Sequence, residues 1–352
     1  MDISFDQAQH ESSGMPSKAK IIKRAITDAI MNMMTPPLVS VVGSLSDTSA
    51  DRLATFVAKA IRLFNINAYK NIRANLNVAF PEMAEDERRE LAFRNAVHTV
   101  RFGIDFLRVL KHPEMVKACT IPPDEFMRDI GSKSNFILCL PHLGNWEIFG
   151  QAVPCFGVKA AAVAEMFRNK KLNALIENAR QHNGLVIIPR EGAGRKVIGA
   201  LRNGYSVGFL PDQNLSPADG GVFLDFFGLP APSSTLPALL AQRLHLPVVV
   251  GASVRNADGK FEFRFIQLPK TADEYPDSES LAQALLKANE TLIRQFPEQY
   301  LWTYHRWRYI PSNATDDFAK RFPFYAVKRP YPCPEPLMAQ GACNNDTPTT
   351  NG

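Results

Sequence analysis

The sequence predicts an α/β fold with a mixed, mostly parallel sheet that is flanked by helices and preceded by an N-terminal helical region. Short apolar runs alternate with helical stretches of about ten residues, which is typical of βαβ units. The runs are 135–140, 158–164, 185–189, 206–210 and 247–253. Upstream, residues 49–118 carry apolar side chains at three- and four-residue spacing, which indicates amphipathic helices.

The helical region contains at least two predicted helices. The first begins near Ser49, and we expect its apolar stripe to face the core. The stripe comprises Leu53, Phe56, Val57, Ala60, Ile61 and Phe64. The second is long and begins at Pro81, with acidic residues in its first turn.

The chain before this region divides into two parts. Residues 1–17 are polar and we expect them to be disordered. Residues 18–48 begin with a basic cluster and continue into an uncharged stretch, 29–45, that Pro36 and Pro37 interrupt. This stretch is marginal beside the roughly 20 apolar residues of a spanning helix, so we expect a membrane-associating segment at the interface. An ordinary buried helix is the alternative.

The remaining elements complete the domain plan. Helices are predicted at 145–153, 170–182, 194–203, 235–245 and 279–296. The strictly alternating run 260–268 predicts an antiparallel edge strand. We therefore expect a helical region (49–118) packed on an α/β domain (119–330), followed by a disordered tail (331–352) rich in Pro, Asn and Thr.

Composition excludes several classes of protein. The formal net charge of +5 in 352 residues is too small to indicate nucleic-acid binding, although it suits an anionic lipid surface or an acidic carrier. The five cysteines show no C-x-x-C spacing, which argues against a zinc site or a disulfide framework. The motifs of serine hydrolases, phosphate-binding loops and dinucleotide-binding loops are also missing from the sequence.

Polar residues follow four of the predicted parallel strands. In chain order they are His142 with Glu147, Arg168, Arg190, and Asp212 with Gln213. Because the carboxyl ends of parallel strands meet at one edge of a sheet, these side chains indicate a ligand site there.

The pair His142 and Glu147 has two interpretations. An imidazole with a carboxylate partner can take a proton from a hydroxyl group, and Gly144 would let the backbone approach a substrate. Alternatively, His142 lies in an ordinary turn and Glu147 only favours the start of a helix. Backbone amides at that helix start could also hold an anion.

Four ordered blocks strengthen the first interpretation. They are "NIRANLNVAFPEMAEDER" (71–88), "LPHLGNWEIFG" (140–150), "LRNGYSVGFLPDQN" (201–214) and "PEQYLWTYHRWR" (297–308). Together they resemble the bacterial lipid A biosynthesis lauroyl/myristoyl acyltransferase family, part of the lysophospholipid acyltransferase-like superfamily with its H-x-x-x-x-D/E motif. The family pattern has a clearer N-terminal membrane helix and lacks the apparent insertion at Tyr304 and His305.

The resemblance implies a glycerolipid acyltransferase-like fold and a reaction. A fatty acyl group would pass from acyl carrier protein, or from coenzyme A, to a hydroxyl of a lipid A precursor at the cytoplasmic face of the inner membrane. His142 would be the general base and Glu147 its orienting carboxylate. Substrate-binding roles would fall to Arg168, Asp212, Arg190, Asn145 and Trp146.

The resemblance also limits the partners. No metal or redox cofactor is expected, and the acyl thioester serves as the co-substrate. Acyl carrier protein, the lipid acceptor and the membrane surface are the expected partners, with no nucleic acid. Two alternatives stay open: another acceptor such as a lysophospholipid, ornithine-type lipid or glycolipid, or a non-catalytic lipid-binding membrane protein. Phe223, Phe226 and Phe227 would be core or lid aromatics, or the wall of an acyl-chain site.

Overall fold

A computed structural model describes residues 31–122, 134–167, 169–190 and 192–339. Its centre is a six-stranded sheet of order β3-β2-β4-β1-β7-β8, in which β8 alone is antiparallel to its neighbour. The strands are β1 (Ile137–Cys139), β2 (Ala160–Ala164), β3 (Val186–Pro189), β4 (Ser206–Phe209), β5 (Val222–Phe226), β6 (Leu229–Ser233), β7 (Val248–Arg255), β8 (Phe261–Ile266), β9 (Tyr309–Ile310) and β10 (Val327–Lys328). Strands β5 and β6 form a hairpin, and β9 pairs with β10.

Helices cover the sheet and precede it. Helix α1 is described over 31–42. The others are α2 (Asp47–Leu63), α3 (Asn67–Ala79), α4 (Glu85–Lys111), α5 (Met115–Cys119), α6 (Trp146–Cys155), α7 (Lys170–His182), α8 (Ala193–Arg202), α9 (Leu236–Leu244), α10 (Ser278–Gln295), α11 (Asp316–Ala319) and α12 (Glu335–Ala339). Within the described ranges, no helix is both long and apolar enough to cross a bilayer.

The predicted α/β architecture is confirmed. All five apolar runs contain strands of the sheet, and the alternating run 260–268 contains the antiparallel edge strand β8. The central strand β1 is buried throughout, as expected for a parallel strand with helices on both faces. The β5–β6 hairpin was not predicted. It buries Phe226 and Phe227 in the main core, where Trp302 and Trp307 are also fully enclosed, and Phe223 is buried as well.

Helix α2 differs from its sequence prediction. It buries Ala50, Ala54 and Ala58, while Phe56 and Phe64 of the predicted core stripe are 71% and 74% exposed. Small alanine side chains let α2 approach α4 closely, and the cluster of Ala50 and Ala54 includes Ile104 of α4. The periodicity of the bulky residues therefore predicted the helix correctly, but only part of the predicted stripe faces the core: Leu53 and Ile61 pack against it, while Phe56 and Phe64 are exposed.

A network of ion pairs fixes this orientation of α2. Arg101 of α4 binds Asp47 at 2.6 Å and Asp51 at 2.7 Å. The Arg101 Nη1 atom also lies 2.8 Å from Asp105, a carboxylate that is 2% exposed and also contacts Arg255 of β7. Three layers of the molecule, α2, α4 and the sheet, are thus joined through charged groups: Arg101 and Asp105 are buried, whereas Asp47 and Asp51 at the α2 end of the network are exposed.

The predicted terminal segments are described only in part. Residues 1–30 and 340–352 lie outside the described residues. The tail prediction fails for residues 331–339: Cys333 is buried, and its N–H donates to Asn313 Oδ1 at 2.9 Å. Docking against Asn313 orders a segment whose composition alone suggested disorder.

Candidate active site

The turn between β1 and α6 is built by its own sequence. Asn145 precedes α6 as the N-cap, and its Oδ1 accepts a hydrogen bond from the Ile148 N–H at 3.0 Å. Gly144 has φ +65°, and a Cβ at this position would lie 1.8 Å from the Ser253 carbonyl oxygen. Only glycine fits, because the turn passes directly over β7 in a left-handed conformation.

This turn holds His142 against the loop that follows β4. Nδ1 of His142 lies 2.8 Å from Oδ1 of Asp212, and the His142 backbone N–H donates to Oδ2 at 2.8 Å. A carboxylate acceptor at Nδ1 places the imidazole proton there and leaves the lone pair of Nε2 available. The arrangement is that of a general base with an orienting carboxylate.

Asp212 is enclosed by donors. Its side chain is 1% exposed, and the Tyr300 hydroxyl donates to Oδ2 at 3.0 Å. Burial alone would raise the pKa of Asp212, but the adjacent His142 and its two hydrogen bonds lower that pKa below its usual value. Burial and the Asp212 charge raise the pKa of Tyr300, so the phenol remains a donor.

Aromatic and polar groups fix the rest of the imidazole ring. Trp146 contacts it edge-on with ring centroids 4.8 Å apart, and Trp146 stacks on Phe102 of α4 at 4.2 Å. The Nε2 atom of His142 lies 3.3 Å from Nε2 of Gln213. Because Gln213 is exposed, this side of the ring faces the opening of the site.

Residues 297–308, the last of the four family-like blocks, hold the turn between β1 and α6 through hydrogen bonds. The Leu301 N–H donates to the His142 carbonyl at 2.9 Å, and the Gly144 N–H donates to the Gln299 carbonyl at 2.9 Å. The Tyr304 hydroxyl accepts from the Asn214 N–H at 3.0 Å. Tyr304, which looked like part of an insertion, therefore braces the loop that carries Asp212.

The expected contact between His142 and Glu147 is not formed. Glu147 instead makes a two-point ion pair with Arg180 of α7, with Nε–Oε1 at 2.7 Å and Nη2–Oε2 at 2.9 Å. Glu147 lies in the first turn of α6, and its side chain is directed to the neighbouring helix α7 rather than to the preceding turn. The carboxylate that orients the imidazole is therefore Asp212, not Glu147.

The other expected substrate-binding residues occupy different positions. Arg168 lies outside the described residues. Arg190 is half-exposed beyond β3, with its Nη1 3.8 Å from Glu165. Asn145 caps α6 and Trp146 packs on the His142 ring, as given above. The expected role of Asp212 in substrate binding stays a prediction; in the structure its two carboxylate oxygens accept three hydrogen bonds from protein donors.

Two residues of this region were not predicted from the sequence. Arg180 is one of several basic residues on an amphipathic helix, and nothing in its spacing marks it as the partner of Glu147. Tyr300 lies within the closing block, so the resemblance could have drawn attention to it. In the described part of the chain, no group of three or more His, Cys, Asp or Glu side chains could hold a metal ion.

Comparison with known proteins relates these features to one family. A family model for bacterial lipid A biosynthesis acyltransferases matches residues 23–309. The lipid A biosynthesis palmitoleoyltransferase of Escherichia coli strain K12 is 33% identical over 273 residues, covering 75% of this chain and 86% of that relative. The lauroyltransferase of the same strain is 26% identical over 278 residues, with the same coverage of 75% and 86%.

Among solved structures, one similar chain is that of a glycerophosphate acyltransferase. The 1-acyl-sn-glycerophosphate acyltransferase PlsC of Thermotoga maritima covers 67% of this chain and 97% of its own, at 14% identity and a TM-score of 0.34. A score this low supports no further inference.

Proposed function

Since this chain belongs to the bacterial lipid A biosynthesis acyltransferase family and is an acyltransferase, we propose that it transfers a fatty acyl group from an acyl thioester to a hydroxyl of a lipid A precursor. In this proposal His142 is the general base. Asp212, rather than Glu147 as expected from the sequence, orients the His142 imidazole in this proposal.

The observation that carries this mechanism is the contact between His142 Nδ1 and Asp212 Oδ1 at 2.8 Å. It leaves Nε2 without a proton of its own, so that this atom can take the proton of the acceptor hydroxyl as that oxygen attacks the thioester carbonyl. The Asp212 carboxylate stabilises the imidazolium that forms. The same Nε2 then returns the proton to the departing thiolate, so the base is regenerated without a cofactor.

Different observations support the proposed acyl donor and the proposed acceptor. An acyl carrier protein or coenzyme A is the proposed source of the acyl group. Both are acidic partners, which suits the net charge of +5. A lipid A precursor is proposed as the acceptor because the two relatives named above are lipid A biosynthesis enzymes.

Attachment to the cytoplasmic face of the inner membrane is also proposed, and two exposed apolar surfaces support it. One lies on α1 and comprises Met33, Met34, Leu38 and Val41, with exposed fractions between 47% and 67%. The other lies at the end of α2, where Phe56, Leu63 and Phe64 are more than 70% exposed next to Arg52 and Lys59. Apolar side chains bordered by basic ones suit an anionic lipid interface.

The central test is a transfer assay with purified protein, an acyl carrier protein loaded with a defined fatty acid, and a lipid A precursor. We expect the precursor to gain the mass of one acyl chain while the carrier thiol is released. His142→Ala should lower kcat/KM by about 10²–10⁴-fold, as for loss of a general base. His112→Ala, at an exposed histidine, is the matched control.

Three outcomes would contradict the proposal. Transfer that survives His142→Ala would exclude this histidine as the base. Acylation of a lysophospholipid or glycolipid, with no acylation of the lipid A precursor, would exclude the proposed acceptor. A protein that binds lipid without any transfer would contradict the reaction itself.

A further inference from the structure

The Nε2 side of His142 carries a second polar group that the proposed mechanism does not use. Gln213 follows Asp212 directly, and its carboxamide nitrogen lies 3.3 Å from His142 Nε2. With the imidazole proton on Nδ1, the Gln213 N–H donates to the bare Nε2 lone pair. An amide donor therefore lies at the atom where the acceptor hydroxyl must arrive.

The backbone amides of the neighbouring turn are mostly engaged. An oxyanion site at this turn would need free N–H groups, as in many acyl-transfer enzymes. Those of His142, Leu143, Gly144, Asn145 and Ile148 already donate to Asp212, Pro141, Gln299, Ser253 and the Asn145 side chain. In residues 142–148, only the first two amides of α6, those of Trp146 and Glu147, have no such acceptor among the described contacts.

We propose that Gln213 is a catalytic residue whose carboxamide donates a hydrogen bond to the oxyanion formed during acyl transfer. This inference rests on the proposed function. The attacking hydroxyl oxygen must lie within hydrogen-bond distance of Nε2, and the carbonyl oxygen is attached to the carbon that it attacks. A donor that reaches Nε2 in the free enzyme can therefore reach that oxygen once the hydroxyl has taken its place.

The steps balance without any further reactant. The hydroxyl proton moves to Nε2 while its oxygen bonds to the thioester carbon, and the carbonyl electron pair moves to oxygen. The oxyanion accepts the Gln213 N–H. When the carbonyl re-forms, the carbon–sulfur bond breaks and the imidazolium proton passes from Nε2 to the thiolate. The products are an ester and a free thiol.

The position of Gln213 suits a side chain that must move. It is exposed, whereas Asp212 beside it is 1% exposed and held by three hydrogen bonds. Exchange of the Gln213 amide from Nε2 to the oxyanion thus requires a side-chain rotation at the opening of the site and leaves the buried base undisturbed. Substitutions of an exposed side chain are also expected to leave the fold intact.

The test compares Gln213→Met, which keeps the side-chain length but removes the donor, with Gln213→Asn, which keeps a shorter donor. In the transfer assay we expect Gln213→Met to lower kcat about 10²–10³-fold, as for loss of one oxyanion donor. The KM of the acceptor should change only a few-fold, because the bond forms in the transition state. Gln213→Asn should recover part of the lost kcat. Gln181→Met, at an exposed position of α7, is the control.

The outcomes separate this inference from the proposed function. If the wild-type enzyme transfers acyl groups and Gln213→Met retains its kcat, the oxyanion role is wrong while the function stands. A higher kcat in Gln213→Met would also overturn the proposal, because the carboxamide would then only obstruct the base. If the wild-type enzyme shows no transfer, the proposed function is wrong, and the oxyanion role that rests on it is wrong as well. Thermal unfolding of each variant confirms that the fold is intact.

Discussion

Asp212 Oδ1 lies 2.8 Å from His142 Nδ1, although 70 positions separate the two residues in the chain. One follows the central strand β1 and the other follows its parallel neighbour β4, so the sheet itself brings them together. The carboxylate that contacts the imidazole is therefore supplied by fold topology rather than by the short H-x-x-x-x-E motif that contains the histidine.

Replacement of Asp212 by Asn is expected to remove most of the activity. Three donors converge on this carboxylate, and an amide would oppose one of them with its own N–H groups. We expect kcat to fall by on the order of 10³–10⁴-fold, as when a catalytic histidine loses its orienting carboxylate. Steady-state transfer kinetics measure the effect, with Asp219→Asn at an exposed position as the control. Activity within tenfold of the wild type would contradict the assignment.

Glu147 and Arg180 are expected to depend on each other for stability. Their side chains are only 11% and 14% exposed, so Arg180→Gln leaves a carboxylate that is poorly solvated and unpaired. We expect Arg180→Gln to lower the free energy of unfolding by about 3 kcal/mol. Urea denaturation measures the loss.

The double variant Glu147→Gln/Arg180→Gln provides the check. It leaves no unpaired charge, and it should be more stable than Arg180→Gln alone. If the effects of the two single changes simply add, the ion pair does not couple the helices α6 and α7 in the way described.

The sequence predicted the fold better than it predicted the site. Strands and helices follow from apolar periodicity: every strand of the central sheet overlaps a predicted run, and only β7 extends beyond its run, by two residues. Side-chain partners do not follow from periodicity. Glu147 is five positions from His142, yet it binds Arg180 on another helix because the first turn of α6 directs it there.

The helical layer shows the same limit in another form. The three- and four-residue spacing of apolar side chains predicted helix α2. It could not reveal that Ala50, Ala54 and Ala58 are the residues of this helix that are fully buried. That choice depends on how closely α4 approaches and on Arg101, which binds Asp47 and Asp51. Both depend on contacts between residues far apart in the chain, which the local sequence pattern does not encode. Asp105, to which no role could be assigned from sequence, lies at the centre of the same network.

Stability should fall as the pH decreases, through His98. Its Nε2 lies 3.3 Å from the Gly144 carbonyl beneath the active-site turn, and burial lowers its pKa from 6.5 to about 4, with nearby Arg255 and Arg101 adding to the shift. Between these values the unfolded chain binds the proton and the folded chain does not. The free energy of unfolding is therefore fully retained above pH 6.5 and decreases as the pH falls toward 4, by at most about 3 kcal/mol.

Urea denaturation between pH 7 and pH 4 tests this expectation. His98→Gln keeps a donor for the Gly144 carbonyl but cannot titrate, so its stability should decline less steeply over this range. Equal slopes in the wild type and the variant would show that His98 titrates normally in the folded chain.

Membrane attachment through α1 is tested with vesicles of phosphatidylglycerol. Met34 and Leu38 are 52% and 47% exposed on this helix. We expect the double variant Met34→Asp/Leu38→Asp to bind the vesicles at least tenfold more weakly in a co-sedimentation assay. Each apolar side chain that is buried in the lipid contributes roughly 1.5–3 kcal/mol to binding. Phe324→Asp, at a residue 69% exposed elsewhere on the surface, is the control. Equal weakening by this control would indicate a general charge effect.

Two buried asparagines of the helical layer determine how the protein can be shortened. Asn75 of α3 donates to the Trp302 carbonyl at 2.7 Å, and Asn95 of α4 donates to the Tyr300 carbonyl at 2.6 Å. Both carbonyls belong to the segment that carries the Tyr300 hydroxyl to Asp212. A fragment that begins at residue 119 would leave these two carbonyls without their asparagine donors. It would also remove support from the segment whose Tyr300 hydroxyl binds Asp212. We therefore expect the α/β half alone to be inactive, because the helices that precede it hold the segment that carries Tyr300 to Asp212.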